Sequence, residues 1–298
     1  MIFIDRVSQI SPDVLKSDAQ KNIELRKEFI DNLVRDAESA DIYLWFMHRF
    51  ASEALVADPV CDRLETWESW VAAMQYYNAM FAVTTAPPGE EVECLIDHKS
   101  RKLVATGPRY CTNAENWQTA FYMAVVCRDV ERIRFLAGIP VELLREAGES
   151  DGAQYLEYAY EWVGALQALV HDDPELLVER LGRAMELSDP RRVGMESADR
   201  GLNLLVFPEM DLLRSFLSGD PEEFEQTLVR GLESFGEFHT QTWEGKDNLA
   251  SLLPLGLLAL ACLGFDRARQ DPSFRMDVRS DYLPEHLLDA AWYGEFPI

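Results

Sequence analysis

The chain has 298 residues, of which 48% are hydrophobic, and its 52 acidic and 28 basic side chains give a formal charge of −24. Apolar content on this scale can bury a sizeable core and excludes wholesale disorder. The negative field opposes nucleic acid and anionic membranes, and it favours a cationic protein partner or serves solubility alone.

Residues 1–88 read as an N-terminal helical region. Met1 to Asp5 have neither a basic start nor a long apolar core, so no secretory signal is read and a cytoplasmic location is expected. Ser11-Pro12-Asp13 opens a helix that runs to about Ala37 and carries Ile23, Phe29, Ile30, Leu33 and Val34. Asp41 is expected to cap a second helix bearing Leu44, Trp45, Phe46 and Phe50, which Asp58-Pro59 ends. Trp67, Trp70, Val71, Met74 and Phe81 mark a third helix, stopped at Ala86-Pro87-Pro88-Gly89 because proline cannot continue it.

Residues 89–110 hold the one strand-like stretch. Val92, Cys94 and Ile96 alternate with Glu93, Leu95 and Asp97, and after His98-Lys99-Ser100-Arg101 the apolar Leu103 and Val104 return. This predicts a β-hairpin near residues 92–105, ending at Thr106-Gly107-Pro108.

Residues 111–298 read as helical hairpins, continuous with the rest as one globular unit. Between Tyr155 and Leu187, Tyr155, Ala159, Trp162, Leu166 and Leu169 keep to one helical face, which must be buried. The turn Asp172-Asp173-Pro174-Glu175 then starts a second helix with Asp173 as cap and Pro174 at the first position, and Leu177, Leu181 and Ala184 continue the stripe. The pattern recurs when Leu212, Leu213, Phe216 and Leu217 lead through Ser218-Gly219-Asp220-Pro221 to Phe224, Leu228, Leu232 and Phe235. It recurs more loosely when Phe121 to Cys127 lead through Arg128-Asp129 to Ile133 and Leu136. The capping aspartates Asp129, Asp173 and Asp220 return at intervals of roughly 45 residues, the period of a helix-pair repeat. The fold class is therefore mostly all-α, with antiparallel hairpins stacked in a solenoid-style array.

Asp189 to Arg192 and Arg269 to Ser273 read as loops. The uncharged run Leu249 to Phe265 is shorter than a membrane span and contains Pro254, so it is expected to be the most buried helix. Asp281-Tyr282-Leu283-Pro284-Glu285 starts a last short helix ending before Gly294. Tyr282, Trp292 and Tyr293 either anchor an interface or dock that helix on the core.

Catalytic and ligand motifs are missing. His48, His98, His171, His239 and His286 are isolated, and no cysteine has another within four positions, so no metal site is read. Cys61, Cys94, Cys111, Cys127 and Cys262 read as reduced core residues. The glycines are dispersed, which leaves nucleotide binding unsupported, and Ser251 and Cys262 sit in the apolar run outside any nucleophile motif. No cofactor, catalytic residue or small-molecule ligand is expected. If the hairpins stack, Asp129, Glu131, Asp172, Asp173, Glu175, Asp220, Glu222 and Glu223 line one edge and form a candidate partner-binding ridge; capping of helix starts is the competing reason for their presence.

Asn116-Trp117-Gln118-Thr119-Ala120-Phe121-Tyr122-Met123-Ala124-Val125-Val126-Cys127-Arg128-Asp129, continuing through Ile139-Pro140-Val141-Glu142-Leu143-Leu144-Arg145, resembles the Immunity 49 family. Tyr158 to Leu169 with the Asp-Pro turn, Pro254 to Cys262, and Ser280 to Pro284 with Gly294 to Pro297 agree in order and spacing, so the resemblance spans roughly residues 103 to 298. The first hundred residues match only loosely, which leaves room there for a different toxin contact or an added region. The resemblance implies a mostly helical, non-enzymatic immunity protein of a bacterial polymorphic toxin system. It also implies stoichiometric binding of a cognate toxin domain, and the charge suits a basic toxin such as a nuclease. A helical-repeat adaptor for another basic partner and an enzyme of unknown type are the alternatives.

Overall fold

A computed structural model describes residues 2–6, 12–189, 199–240, 252–291 and 294. In chain order the elements are strand β1 (Ile2–Ile4), α1 (Pro12–Arg35), a 3-10 helix (Ala37–Tyr43), α2 (Leu44–Ala57), α3 (Leu64–Thr85), β2 (Glu91–Ile96) and β3 (Lys99–Val104). Then follow α4 (Ala114–Val126), α5 (Val130–Ala137), α6 (Val141–Gly148), α7 (Glu157–Val170) and α8 (Pro174–Leu187). A short helical turn and a π segment (Leu202–Val206) lead into α9 (Phe207–Ser218), followed by α10 (Pro221–Thr240), α11 (Leu255–Gln270), β4 (Val278–Ser280) and α12 (Glu285–Leu288). The fold is mostly all-α, as its periodicity predicts. These elements divide into two compact units, one of residues 11–156 and one of residues 157–291 with the N-terminal strand.

In the first unit, α3 is the most extensively buried helix among the described residues. Trp67, Trp70, Tyr76 and Met74 have no exposed surface, which corrects the expectation that the run after Leu249 is the most enclosed. Helix α3 touches α2, α4, α5, the 3-10 helix and β2, so beyond its exposed first turn little of it is left to water. Arg26 of α1 is also buried there, donating to Ser69 Oγ at 2.8 Å and lying 4.0 Å from Asp97. Asp41 does not cap α2. Asp36 caps the intervening 3-10 helix by accepting from the Glu38 amide, and Asp41 lies inside that helix and accepts from the Tyr110 hydroxyl.

The β-hairpin forms where alternation places it, with Glu91 opposite Val104 and Ile96 opposite Lys99. Its turn is Asp97-His98, with Lys99 to Arg101 already in the strand. A two-residue turn of this kind needs positive φ at both positions, and Asp97 (52°) and His98 (61°) supply it. The Asp97 amide donates to Gln75 Oε1 on α3 at 2.9 Å, which holds the turn in place.

In the second unit, α7 packs on α8, and α9 packs on α8, α10 and α11. Trp162, Leu166, Leu177, Leu181 and Ala184 are buried as expected, but Leu169 is only half-buried and Leu217 is exposed. Buried Glu161 joins α7 to α8 through Arg180 (2.8 Å) and Arg183 (3.2 Å). On α11, Gly264 lets the helix approach the Phe224 ring more closely than any side chain would allow, and Phe224 in turn packs edge-on against Phe216 and lies 5.4 Å from Phe274. A parallel pairing of β1 with β4, Ile2 opposite Val278, closes this unit. Tyr282 is fully buried against Phe235, so it docks the C-terminal turn. Trp292, Tyr293, Ser251, the loop from Pro190 and the stretch before Leu252 lie outside the described residues.

Candidate partner-binding surface

The three recurrent turns share one backbone recipe. Arg128, Asp172 and Gly219 each take positive φ at 56°, 55° and 76°. At the first two, the following aspartate amide reaches back five residues, from Asp129 to Ala124 and from Asp173 to Ala168. This closes the preceding helix with a Schellman motif and places an aspartate at once as the next N-cap. Asp129 accepts from the Arg132 amide at 3.0 Å, Asp173 from that of Leu176 at 3.1 Å, and Asp220 from those of Glu222 and Glu223 at 2.9 and 3.3 Å.

Not every predicted acid faces outward. Asp129 is buried and paired with Arg132, whose guanidinium also donates to the Leu95 carbonyl at 3.2 Å, so it ties α5 to the hairpin. Glu223 accepts from Ser218 Oγ and from Arg214, both at 2.8 Å. The Ser218 hydrogen bond and then the Arg214 contact hold its carboxyl below the usual range. Glu131, Asp172, Asp173, Glu175, Asp220 and Glu222 are exposed. Glu131 and Asp129 belong to the first unit and the other six to the second.

In the second unit an open groove of about 470 Å³ runs beside the start of α10, walled by Glu222, Glu225, Asp277 and Arg230 over a floor of Val229 and Val278. Among the described residues none of its three carboxylates has an ion pair. The Asp277 amide donates to Glu225, and Arg230 turns to Asp211 at 3.7 Å. Apolar floor and acidic wall together match a lysine or arginine side chain, whose aliphatic stem and charged head need those two surroundings. Sequence reasoning found Glu222 but missed Glu225 and Asp277, because Asp277 arrives from a segment 52 residues away.

No group of three or more His, Cys, Asp or Glu among the described residues could hold a metal ion. Cys61, Cys111, Cys127 and Cys262 are buried and Cys94 is half-buried, and none of the five is in a disulfide. Burial pushes the Cys111 thiol up to about 11 and the Cys94 thiol upward, the reverse of an activated nucleophile. No described helix is long and apolar enough to cross a membrane.

The sequence model of the family described as Immunity protein 49 matches residues 58–287, well over half of the chain. The chain belongs to that family. The match starts further upstream than the resemblance near residue 103 and takes in α3 and the hairpin, while β1, α1, the 3-10 helix and α2 lie outside it. No curated protein and no solved structure matches the chain. Membership of the Immunity protein 49 family implies a protein partner.

Proposed function

We propose that this protein is the immunity partner of a polymorphic toxin, binding the cognate toxin domain one to one in the cytoplasm and blocking it without chemistry of its own. The observation that carries this reading is the family match over residues 58–287. Two features support a basic toxin, such as a nuclease: the formal charge of −24 and the α10-groove carboxylates, which have no ion pair among the described residues. The field raises the rate of encounter with a cation, and the groove accepts its side chains. Exposed Asp172, Glu175 and Glu222 add to that field, while Asp173 and Asp220 also hold helix starts.

Co-expression with the C-terminal toxin domain encoded in the neighbouring reading frame tests the reading. Growth is restored by the intact chain. Continued growth arrest, with both proteins present at equal levels, would contradict it.

A further inference from the structure

The first residues of the chain complete a unit whose other members begin at residue 157. β1 pairs with β4, Ile2 opposite Val278 and Ile4 opposite Ser280. At the end of this ladder the Ile4 carbonyl accepts from Ser280 Oγ at 2.7 Å and from the Asp281 amide at 3.2 Å. Arg6 then clasps Asp281 twice: its amide donates to the Asp281 carboxylate at 3.1 Å, and its guanidinium donates to the Asp281 carbonyl. The same guanidinium lies over the Tyr282 ring at 5.8 Å, and Tyr282 has no exposed surface. Residues 2–6 lie outside the family match, while the strand and turn they hold lie inside it.

What these residues hold is one side of the α10 groove. Asp277 and Val278 line that groove, and the Asp277 amide donates to Glu225 of α10. β4 is therefore fixed by α10 at its start and by β1 along its length. The second attachment is the weaker one. A two-stranded sheet of three residue pairs is marginal by itself. Arg6 carries a charge that burial disfavours and Asp281 supports, and its Nε has no hydrogen-bond partner among the described residues. A buried donor left unsatisfied offsets much of what the neighbouring contacts contribute, and opening such a site costs less than unfolding the whole unit. We infer that residues 2–6 are a strap with Arg6 as its latch, a positioning residue that acts through Asp281 on Asp277 and Val278; its bearing on toxin binding rests on the immunity reading of the groove. With the strap closed, β4 is held against α10. With it open, Val278 and Tyr282 lose their cover and the groove loses a wall.

Hydrogen exchange of the full chain read by mass spectrometry, beside its binding to the toxin domain of the neighbouring reading frame, tests the inference. Arg6→Ala is expected to raise exchange over residues 278–283 about tenfold, with residues 11–156 exchanging as in the parent, and to weaken toxin binding about fivefold. Arg6→Lys keeps a charged donor and should recover part of both. Asp277→Asn alone should weaken binding, and the double variant should lose less than the product of the two single losses, because both act on one wall. Exchange over residues 278–283 within twofold of the parent overturns the strap, and single losses that multiply in full overturn the positioning role. A parent that fails to bind the toxin removes the immunity reading, and the exchange result still decides the strap.

Discussion

Replacing Trp162 by alanine probes the core of the second unit. The indole is 2% exposed on α7, between buried Ala159, Val163 and Leu166. A tryptophan side chain carries roughly 200 Å² of surface, so at about 25 cal/mol per Å² its burial is worth some 5 kcal/mol. The alanine methyl retains a small part of this and the compact unfolded chain removes more, while the cavity left behind adds cost; the net loss is about 3–5 kcal/mol. Urea unfolding followed by far-UV circular dichroism reads it as an earlier transition. Trp45→Ala is the control, because a 55% exposed indole contributes within about 1 kcal/mol. A Trp162 variant that loses less than about 1 kcal/mol would refute the burial of the α7 face and the reasoning built on its spacing.

Reversing Asp172, Glu175 and Glu222 to lysine, with the caps Asp173 and Asp220 left intact, should slow toxin association several-fold at low salt. In stopped-flow measurements the difference should shrink as ionic strength rises. Asp129→Ala removes an N-cap and the partner of Arg132 and should cost about 1–2 kcal/mol in chemical unfolding, with growth protection retained at permissive temperature. His48 Nε2 is buried without a partner, and burial lowers its pKa from 6.5 to about 4. The unfolded chain therefore binds a proton that the folded chain refuses. Stability is full above about pH 6.5 and falls by up to about 3 kcal/mol as pH drops to about 4. Buried His239 is shifted in the same direction. The Tm of His48→Gln should depend less steeply on pH than that of the parent between those limits.

The legible part of the fold is the part written in local chemistry. Asp129, Asp173 and Asp220 cap helices because a cap needs only its own next three residues, and the stripes of α3 and α8 follow from a period of 3.6. The β1–β4 pairing was not legible, since three residues at each of two distant sites carry no pattern of their own. The Asp97-His98 turn was misplaced because glycine and asparagine normally mark positive φ, and here Gln75 of α3 and nearby Arg26 help hold it instead.

The candidate sites were harder still. Acidity read from composition could not separate Asp129, buried beside Arg132, from exposed Glu175. Nor could spacing show that Trp45 faces out while Trp67 and Trp70 face in. All three sit on helices with apolar neighbours, and only the packing of α3 against the elements around it decides it.

Titration calorimetry of the purified chain into its toxin domain bears most directly on the claim of stoichiometric neutralisation. Saturation at one chain per toxin is expected, with toxin activity falling linearly to zero at that ratio. Full inactivation at a small fraction of one equivalent would show turnover, and the account would then be wrong.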